Sequence, residues 1–355
     1  MLDRAWLTNA GPLVRELEEE IASVCEVDHC VTVANGTLAL QIATRALGMS
    51  GEVIMPAFTF VATAHALLWQ GAAPIFADID PRTHQIDPRA VQGLITDDTT
   101  GIVGVHLWGH PAPIAELTAL AADAGVPLVF DAAHAFGTRV DNRPIGAFGD
   151  AEVFSFHATK VFNTLEGGAV LTNNADLAER TRPMRNFGFA DSANVIYPGT
   201  NGKLNEASAA VGLANLVDLP RFLDCNLRNH AAYSDALHGS TVARIMSPPT
   251  NVAANHHYVV VELAEDLVSH RDALVEYLHD AGVLARRYFW PGCHRMAPYA
   301  SHPIDLPVTD EVASRIIVLP TGSAIAPEAC RTVMGLLVDE AHRIRRHAGH
   351  AVSAR

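Results

Sequence analysis

Short apolar runs alternate with longer amphipathic stretches over the first two-thirds of the chain. The stretch GPLVRELEEEIASV predicts a helix, because its apolar positions share one helical face, at Leu13, Leu17, Ile21 and Val24. The runs HCVTVAN, GEVIM, APIFADI, GIVGVHL and VPLVFD are short and bounded by turn residues, which is typical of buried strands. Strands that alternate with helices predict an α/β fold whose central sheet is mostly parallel and covered on both faces.

The last third of the chain has a different pattern. From Leu204 to about Leu237 it predicts a long helix that is interrupted near Pro220. Beyond this helix, HHYVVVEL predicts a strand, LVSHRDALVEYLHDAG a helix and PEACRTVMGLLVDEAHRI a terminal helix. We therefore expect a large domain over residues 1–235 and a smaller α+β domain over residues 236–355.

Composition and charge exclude several classes of protein. The net charge of -14 over 355 residues disfavours non-specific binding to nucleic acid or to an anionic membrane. No uncharged apolar run approaches the ~20 residues of a membrane span. The N-terminal stretch lacks the apolar core of a signal peptide, and the five cysteines include no C-x-x-C pair. We expect a soluble, cytoplasmic protein without disulfides.

The histidines do not form a recognisable metal motif. There are 18 of them, and the segments HLWGH and NHHY have spacings that occur in metal sites. No carboxylate or cysteine accompanies either segment in a known ligand pattern, so we expect no metal.

Lysine is rare in this chain. Only Lys160 and Lys203 occur, and arginine supplies the other 23 basic side chains. A single lysine after a strand is usually a solvated surface residue. A chain that uses arginine almost everywhere, however, is expected to keep lysine where a guanidinium cannot serve. An amine that loses its proton and attacks a carbonyl is such a case.

Polar side chains follow several predicted strands, where open α/β sheets bind ligands. Asp131 ends a strand in VFDAAH, and His134 follows three residues later. Ser155 ends the next strand in FSFHATK, and Lys160 lies just beyond it. These side chains are expected to meet at one edge of the sheet.

A strand-to-helix turn adds an anion site. In VANGTLAL, Gly36 and Thr37 open a helix, where free backbone N–H groups favour a phosphate. An amine, a buried carboxylate and a phosphate cradle together meet the requirements of pyridoxal phosphate. The segment PAFTF offers Phe58 or Phe60 as an aromatic residue over the ring. Each feature alone has an ordinary structural explanation, and their joint occurrence carries the interpretation.

The sequence resembles the DegT/StrS family of sugar aminotransferases, which have the aspartate-aminotransferase fold, fold type I. The resemblance runs over nearly the whole chain, through LTNAGPLVRELEEEIA, NGTLAL, MPAFTFVATAHA, DAAHAFGT, FSFHATK, GTNGKLNEASAAVGL and RRYFWPGCHRMAPY. It implies a pyridoxal phosphate enzyme with a large domain and a smaller C-terminal domain.

The resemblance assigns roles to the matching residues. Lys160 matches the lysine that forms a Schiff base with the cofactor and moves the proton, and Asp131 matches the carboxylate on the pyridine nitrogen. His134 matches the position that bonds the phenolic oxygen, and Phe60 matches the aromatic residue that stacks on the ring. The matches to phosphate contacts are Gly36, Thr37 and Ser155.

Two further residues imply a homodimer with its active sites at the interface. Asn201 in GTNGK matches an asparagine that reaches the phosphate of the neighbouring subunit's cofactor, and Lys203 occupies a position that is often arginine or lysine. One departure from the family pattern is Leu165 in NTLEGGAV, where many members have glycine.

The resemblance is strongest to enzymes that aminate C4 of TDP-4-keto-6-deoxyglucose, with glutamate as the expected donor, in deoxysugar and antibiotic pathways. Candidate substrate contacts are Arg185, Lys203, Tyr288 and His294. For Arg185, Tyr288 and His294, a surface arginine, a packed aromatic and a loop histidine are equally good explanations. Alternatives are a 3-aminotransferase on a 3-keto sugar and a non-catalytic regulatory protein that binds the cofactor. A sugar dehydratase of this fold is disfavoured, because histidine replaces the lysine in such relatives.

Overall fold

The computed structural model describes residues 6, 8, 10–301 and 303–353. Ten helices lie in this part of the chain: α1 (Pro12–Val24), α2 (Gly36–Ala46), α3 (Ala62–Leu68), α4 (Pro88–Leu94), α5 (Ile114–Ala124), α6 (Ala175–Met184), α7 (Glu206–Leu237), α8 (Arg271–Asp280), α9 (Pro307–Arg315) and α10 (Pro327–Ser353). The strands of the same residues are β1 (His29–Val33), β2 (Glu52–Pro56), β3 (Ala73–Ala77), β4 (Thr99–Val105), β5 (Leu128–Asp131), β6 (Arg139–Val140), β7 (Arg143–Pro144), β8 (Ala151–Ser155), β9 (Gly168–Thr172), β10 (Ala243–Ile245), β11 (Val252–Ala253), β12 (Val259–Leu263) and β13 (Ile316–Leu319).

Seven strands form the central sheet, in the order β1-β9-β8-β5-β4-β2-β3. Strand β9 is antiparallel to both of its neighbours, and every other pair in the sheet is parallel. The predicted α/β fold with a mostly parallel sheet is therefore confirmed. Because β1, β4, β5 and β8 run in the same direction, their carboxyl ends meet at one edge of the sheet.

The sheet is buried on both faces. Along β5, Val129 packs into one hydrophobic cluster and its neighbours Leu128 and Phe130 into another. Along β8, Val153 and Phe154 likewise belong to clusters on opposite faces. Successive side chains of a strand point to opposite faces, so these apolar runs need helices on both sides.

The buried face of helix α1 differs in detail from the predicted apolar face. Its buried apolar residues are Val14, Leu17 and Ile21, whereas Val24 is 37% exposed. The carboxylate of Glu206, the first residue of α7, accepts the N–H groups of Leu13 and Val14 at 3.0 Å each. A side chain distant in sequence therefore satisfies the free donors at the start of α1.

A smaller three-stranded sheet, β10-β12-β13, packs with the end of α7, α8 and α10 around a hydrophobic cluster that runs from Ala232 to Ala341. The predicted interruption of α7 near Pro220 is wrong, because the helix is continuous from Glu206 to Leu237. Pro220 lies on the exposed side of the helix, where water can bond the carbonyl that proline leaves without a donor. A domain boundary near residue 235 would fall in the last turn of this helix and stays a prediction.

No helix in the described part of the chain is both long enough and apolar enough to cross a membrane.

Candidate active site

A cavity of about 490 Å³ opens at the carboxyl ends of the central strands. It brings together eight of the residues predicted from the sequence: Gly36, Thr37, Phe60, Asp131, His134, Ser155, Lys160 and Tyr288. Seven of them come from the α2 N-terminus, from the segment after β2, and from the ends of β5 and β8 with the turns that follow. Their convergence follows from the strand directions, because these ends share one sheet edge. Tyr288 comes from the segment between α8 and α9.

Lys160 lies in the turn that follows β8, where its backbone N–H donates to the His157 carbonyl at 2.8 Å. Its Nζ donates to the hydroxyl of Tyr258 at 3.3 Å. Burial lowers the pKa of Lys160 to about 8, and the carboxylate of Asp131 opposes this shift. A lysine in this environment is neutral in a much larger fraction near pH 7 than an ordinary lysine is.

Asp131 ends β5 and is buried. Its Oδ2 accepts the hydroxyl of Thr63 at 2.8 Å, and its Oδ1 accepts the backbone N–H of Ala133 at 3.0 Å. Burial raises the pKa of Asp131, and these two hydrogen bonds oppose the rise. Neither donor carries a positive charge, so they do not neutralise the carboxylate. A cationic partner, such as a protonated pyridine nitrogen, would stabilise it further.

His134 is held from two sides. The backbone N–H of Trp108 donates to its Nδ1 at 3.3 Å, and Nδ2 of Asn255 donates to its backbone carbonyl at 2.8 Å. Burial, and then the charge of Lys160, lower the pKa of His134 well below its ordinary value. The ring is therefore neutral with its proton on Nε2, so that it is a hydrogen-bond donor from that atom.

The N-terminus of α2 forms a close contact with β8. Asn35 caps the helix by accepting the N–H of Leu38 at 2.9 Å, while Gly36 and Thr37 precede the first intrahelical N–H bonds. A Cβ at Gly36 would lie 2.8 Å from Cβ of Ser155, so only glycine fits there. The arrangement presents free N–H groups beside a hydroxyl, which suits a phosphate.

The two candidate aromatic residues have different positions. Phe58 is fully buried and packs edge-on against Trp108 and Phe289. Phe60 is 54% exposed and lines the cavity. Only Phe60 is therefore placed to cover a ring within the cavity.

The described residues fit pyridoxal phosphate. The amine of Lys160, the buried carboxylate of Asp131 and the cradle at Gly36 line one cavity. These three groups are the attachment point, the partner of the ring nitrogen and the phosphate site that this cofactor requires.

Two predicted substrate contacts lie outside this cavity. Arg185 is buried, and its guanidinium bonds the carboxylate of Glu18 and the backbone carbonyl of Thr32. His294 is buried, with its Nε2 3.1 Å from Oδ1 of Asp310. Both side chains have structural partners in this chain, and their roles in substrate binding stay predictions.

Asn201 and Lys203 also lie away from the cavity of their own chain. Nζ of Lys203 donates to Oδ1 of Asn201 at 2.6 Å and lies 4.3 Å from the ring centroid of Phe187. Asn201 is exposed, so its amide faces outward. The contact of Asn201 with a neighbouring subunit stays a prediction.

Leu165 has an unusual backbone conformation. Its φ is +67°, which lies in the left-handed region that favours glycine, and its side chain is 57% exposed. The conformation explains why glycine is common at this position in the family that the sequence resembles. The adjacent Glu166 lines the cavity and lies 3.5 Å from Nε2 of His157.

Sequence reasoning missed several residues of the site. Thr63 bonds Asp131, Asn255 holds the backbone at His134, and Tyr258 bonds Lys160. Asn255 and Tyr258 flank the histidine pair of NHHY, a segment that the sequence indicated only as a possible metal motif. In the described residues, no group of three or more histidine, cysteine or acidic side chains is placed to hold a metal ion.

Comparisons with known proteins identify relatives over most of the chain. The model of the DegT/DnrJ/EryC1/StrS aminotransferase family matches residues 1–338. A dTDP-4-amino-4,6-dideoxy-D-glucose transaminase from Shigella dysenteriae is 35% identical over 93% of this chain and 90% of that protein. A UDP-N-acetyl-3-dehydro-alpha-D-glucosamine 3-aminotransferase from Acidithiobacillus ferrooxidans is 34% identical over 86% of this chain and 82% of that protein.

A solved structure shows the same fold. The structure of DesI in the presence of its TDP-sugar product has a TM-score of 0.94 and 47% identity, over 99% of this chain and 90% of that chain.

Proposed function

Since the chain belongs to the DegT/DnrJ/EryC1/StrS aminotransferase family and is a sugar aminotransferase, we propose that it aminates C4 of TDP-4-keto-6-deoxy-D-glucose with glutamate as the amino donor. The observation that carries the chemistry is Lys160, a half-buried lysine with a lowered pKa in the same cavity as Asp131. The 47% identity to DesI, a protein with a TDP-sugar product, supports TDP as the nucleotide of the substrate.

Pyridoxal phosphate, when bound, supplies an electron sink next to the carbon that carries the amine. Lys160 would attach this cofactor, and its neutral amine is suited to hold and move the proton of the donor. Asp131 keeps the proton on the ring nitrogen, because its buried carboxylate is stabilised by a positive charge there.

The other residues of the cavity bind and orient the cofactor. The N–H groups of Gly36 and Thr37 and the hydroxyl of Ser155 would hold the phosphate. His134 would donate its Nε2 proton to the phenolic oxygen, and Phe60 would pack on the ring. Tyr288 lines the same cavity and is proposed to contact the sugar nucleotide.

We also propose that the working enzyme is a homodimer. Asn201 and Lys203 lie on a segment whose apolar side chains Phe187, Val195 and Ile196 are between 47% and 56% exposed. A partner subunit would cover these side chains and receive Asn201 beside its own phosphate site.

A second candidate is amination at C3. The 3-aminotransferase from Acidithiobacillus ferrooxidans is 34% identical to this chain, nearly the same as the 35% of the Shigella dysenteriae transaminase. Sequence identity to these two relatives therefore does not distinguish amination at C4 from amination at C3.

Product identification tests the proposal. The enzyme loaded with pyridoxal phosphate is incubated with glutamate and TDP-4-keto-6-deoxyglucose, and in parallel with the TDP-3-keto isomer. We expect an amine at C4, identified by mass and NMR, from the first substrate only. Lys160→Arg, which keeps a positive charge but removes the nucleophilic amine, is expected to form no product. An amine formed only from the 3-keto isomer would contradict the assignment of C4.

A further inference from the structure

Arg286 lines the cavity of Lys160 and has a fixed backbone. Its N–H donates to the carbonyl of Val318 at 2.9 Å, and its carbonyl accepts the N–H of Val318 at 2.8 Å. These bonds attach the segment before Tyr288 to strand β13. The position of Arg286 relative to the cavity is therefore set by the fold, while its side chain is exposed to solvent.

The guanidinium of Arg286 has no acidic partner among the described residues, unlike that of its neighbour in sequence. Nη1 of Arg287 lies 3.1 Å from Oδ1 of Asp272, and Arg287 does not line the cavity. Cζ of Arg286 instead lies 5.8 Å from the ring centroid of Tyr288. Contact with an aromatic face orients a guanidinium and leaves its N–H donors available.

The cavity has few other charges that could bind an anion. Lys160 is the reacting amine, and Asp131 and Glu166 are acidic. Arg286 is thus the one arginine among the described residues that line this cavity. With a net charge of -14, the protein as a whole does not attract anions, so a local cation has to bind them.

Arg286 is also near the reacting amine. Its charge acts on Tyr258, whose hydroxyl bonds Nζ of Lys160 at 3.3 Å. The rings of Tyr258 and Tyr288 have centroids 6.3 Å apart. The guanidinium and the amine therefore line one cavity and are linked by contacts through Tyr288 and Tyr258, so a single substrate in this cavity is placed between both groups.

We propose that Arg286 is a specificity-determining residue that binds the anionic group of the substrate. This inference rests on the proposed function, in which both substrates are anions and occupy one cavity in turn. The shared chemistry is a pair of anionic oxygens that accept the guanidinium fork. The source is either a carboxylate of the amino donor or the diphosphate of the sugar nucleotide.

Binding experiments on the enzyme in its pyridoxamine phosphate form test this proposal. The probes are TDP and glutarate, a dicarboxylate without the keto group that would accept the amine, and their dissociation constants are measured by calorimetry for the native protein, Arg286→Gln and Arg286→Lys. We expect Arg286→Gln to weaken at least one probe by about tenfold to a hundredfold. Arg286→Lys, which keeps the charge without the fork, is expected to have an intermediate effect.

Arg287→Gln is the matched control, because it removes an adjacent exposed arginine that lies outside the cavity, and we expect it to bind both probes normally. Weaker binding of glutarate alone would identify the donor carboxylate, weaker binding of TDP alone the diphosphate, and weaker binding of both a shared site. Unchanged affinities in Arg286→Gln, or no binding of either probe to the native protein, would overturn the proposal.

The saturation kinetics of the two half-reactions give a second measurement. A binding role predicts that Arg286→Gln raises the half-saturating concentration of glutamate or of the keto-sugar and leaves the limiting rate nearly unchanged. Failure of the native enzyme to aminate the 4-keto sugar, with normal binding of the probes, would contradict the proposed substrate and leave the role of Arg286 standing.

Discussion

At the scale of single residues, the chemistry depends on the environment of Lys160. The rarity of lysine and the motif FSFHATK were sufficient to select this residue from the sequence. The partner hydroxyl of Tyr258 was not predictable, because it is 98 positions away in the chain. The bond from Thr63 to Asp131 and the bond from Asn255 to His134 were not predictable either, because each joins residues that are far apart in the chain.

The lowered pKa of Lys160 predicts a pH dependence in the protein without cofactor. Only the neutral amine attacks an aldehyde, so the rate of pyridoxal phosphate capture should rise with pH and level off above about 8. An ordinary lysine continues to rise toward pH ~10.4. The measurement is reductive trapping of the captured cofactor, followed by peptide mapping, over a series of pH values.

The matched reference for this measurement is Nα-acetyl-lysine, which reports the titration of the cofactor itself at each pH. Lys160→Arg should lose the trapped peptide. A rate relative to the reference that stays constant from pH 7 to pH 10 would show that burial does not lower the pKa of Lys160.

At the scale of helices and strands, the pattern of the sequence predicted which segments are helical better than it predicted their ends and faces. The apolar spacing located α1, but Val24 is exposed and Val14 is buried instead. The expected interruption at Pro220 depended on a local rule, and α7 continues because the proline lies on its exposed side. The bonds from Glu206 to the start of α1 join segments that are 192 and 193 residues apart, so no local pattern contains them.

The contact between α1 and α7 gives a stability prediction. Glu206→Ala removes the carboxylate that accepts two backbone N–H groups and leaves the buried N–H of Val14 without a partner. We expect a loss of about 1–3 kcal/mol in the free energy of unfolding, measured by chemical denaturation. The control is Glu19→Ala, an exposed substitution within α1, for which we expect a change within about 0.5 kcal/mol. Equal effects of the two variants would contradict the capping role.

At the scale of the whole molecule, the alternation of strands and helices was sufficient to predict the mostly parallel sheet and the sheet edge at which the cavity opens. The antiparallel strand β9 was not predicted, because strand direction depends on the connection and leaves no mark on a buried apolar run. Contacts between subunits are equally hard to predict, because they also leave no local pattern in the sequence. Within one chain, Asn201 is an exposed polar residue and Lys203 a half-buried one, and the two bond each other.

The proposed homodimer predicts complementation between two inactive variants. One variant carries Lys160→Arg, and the other carries Asn201→Ala with Lys203→Ala. If each active site takes Lys160 from one subunit and Asn201 from the other, a mixed dimer has one intact site. Random mixing should then restore roughly a quarter of the native activity, because half of the dimers are mixed.

This experiment requires denaturation and joint refolding of the two variants, with each variant refolded alone as the control. An active site built from one chain only would give no recovery on mixing, and that result would contradict the interface location.

A spectral single turnover tests the central claim most directly. The enzyme is converted to its pyridoxamine form with glutamate, the excess is removed, and TDP-4-keto-6-deoxyglucose is added in a stoichiometric amount. We predict that the visible absorbance of the lysine-bound cofactor returns, because the sugar has taken the amine at C4. If 2-oxoglutarate or the 3-keto isomer restores this absorbance and the 4-keto sugar does not, the proposed substrate is wrong.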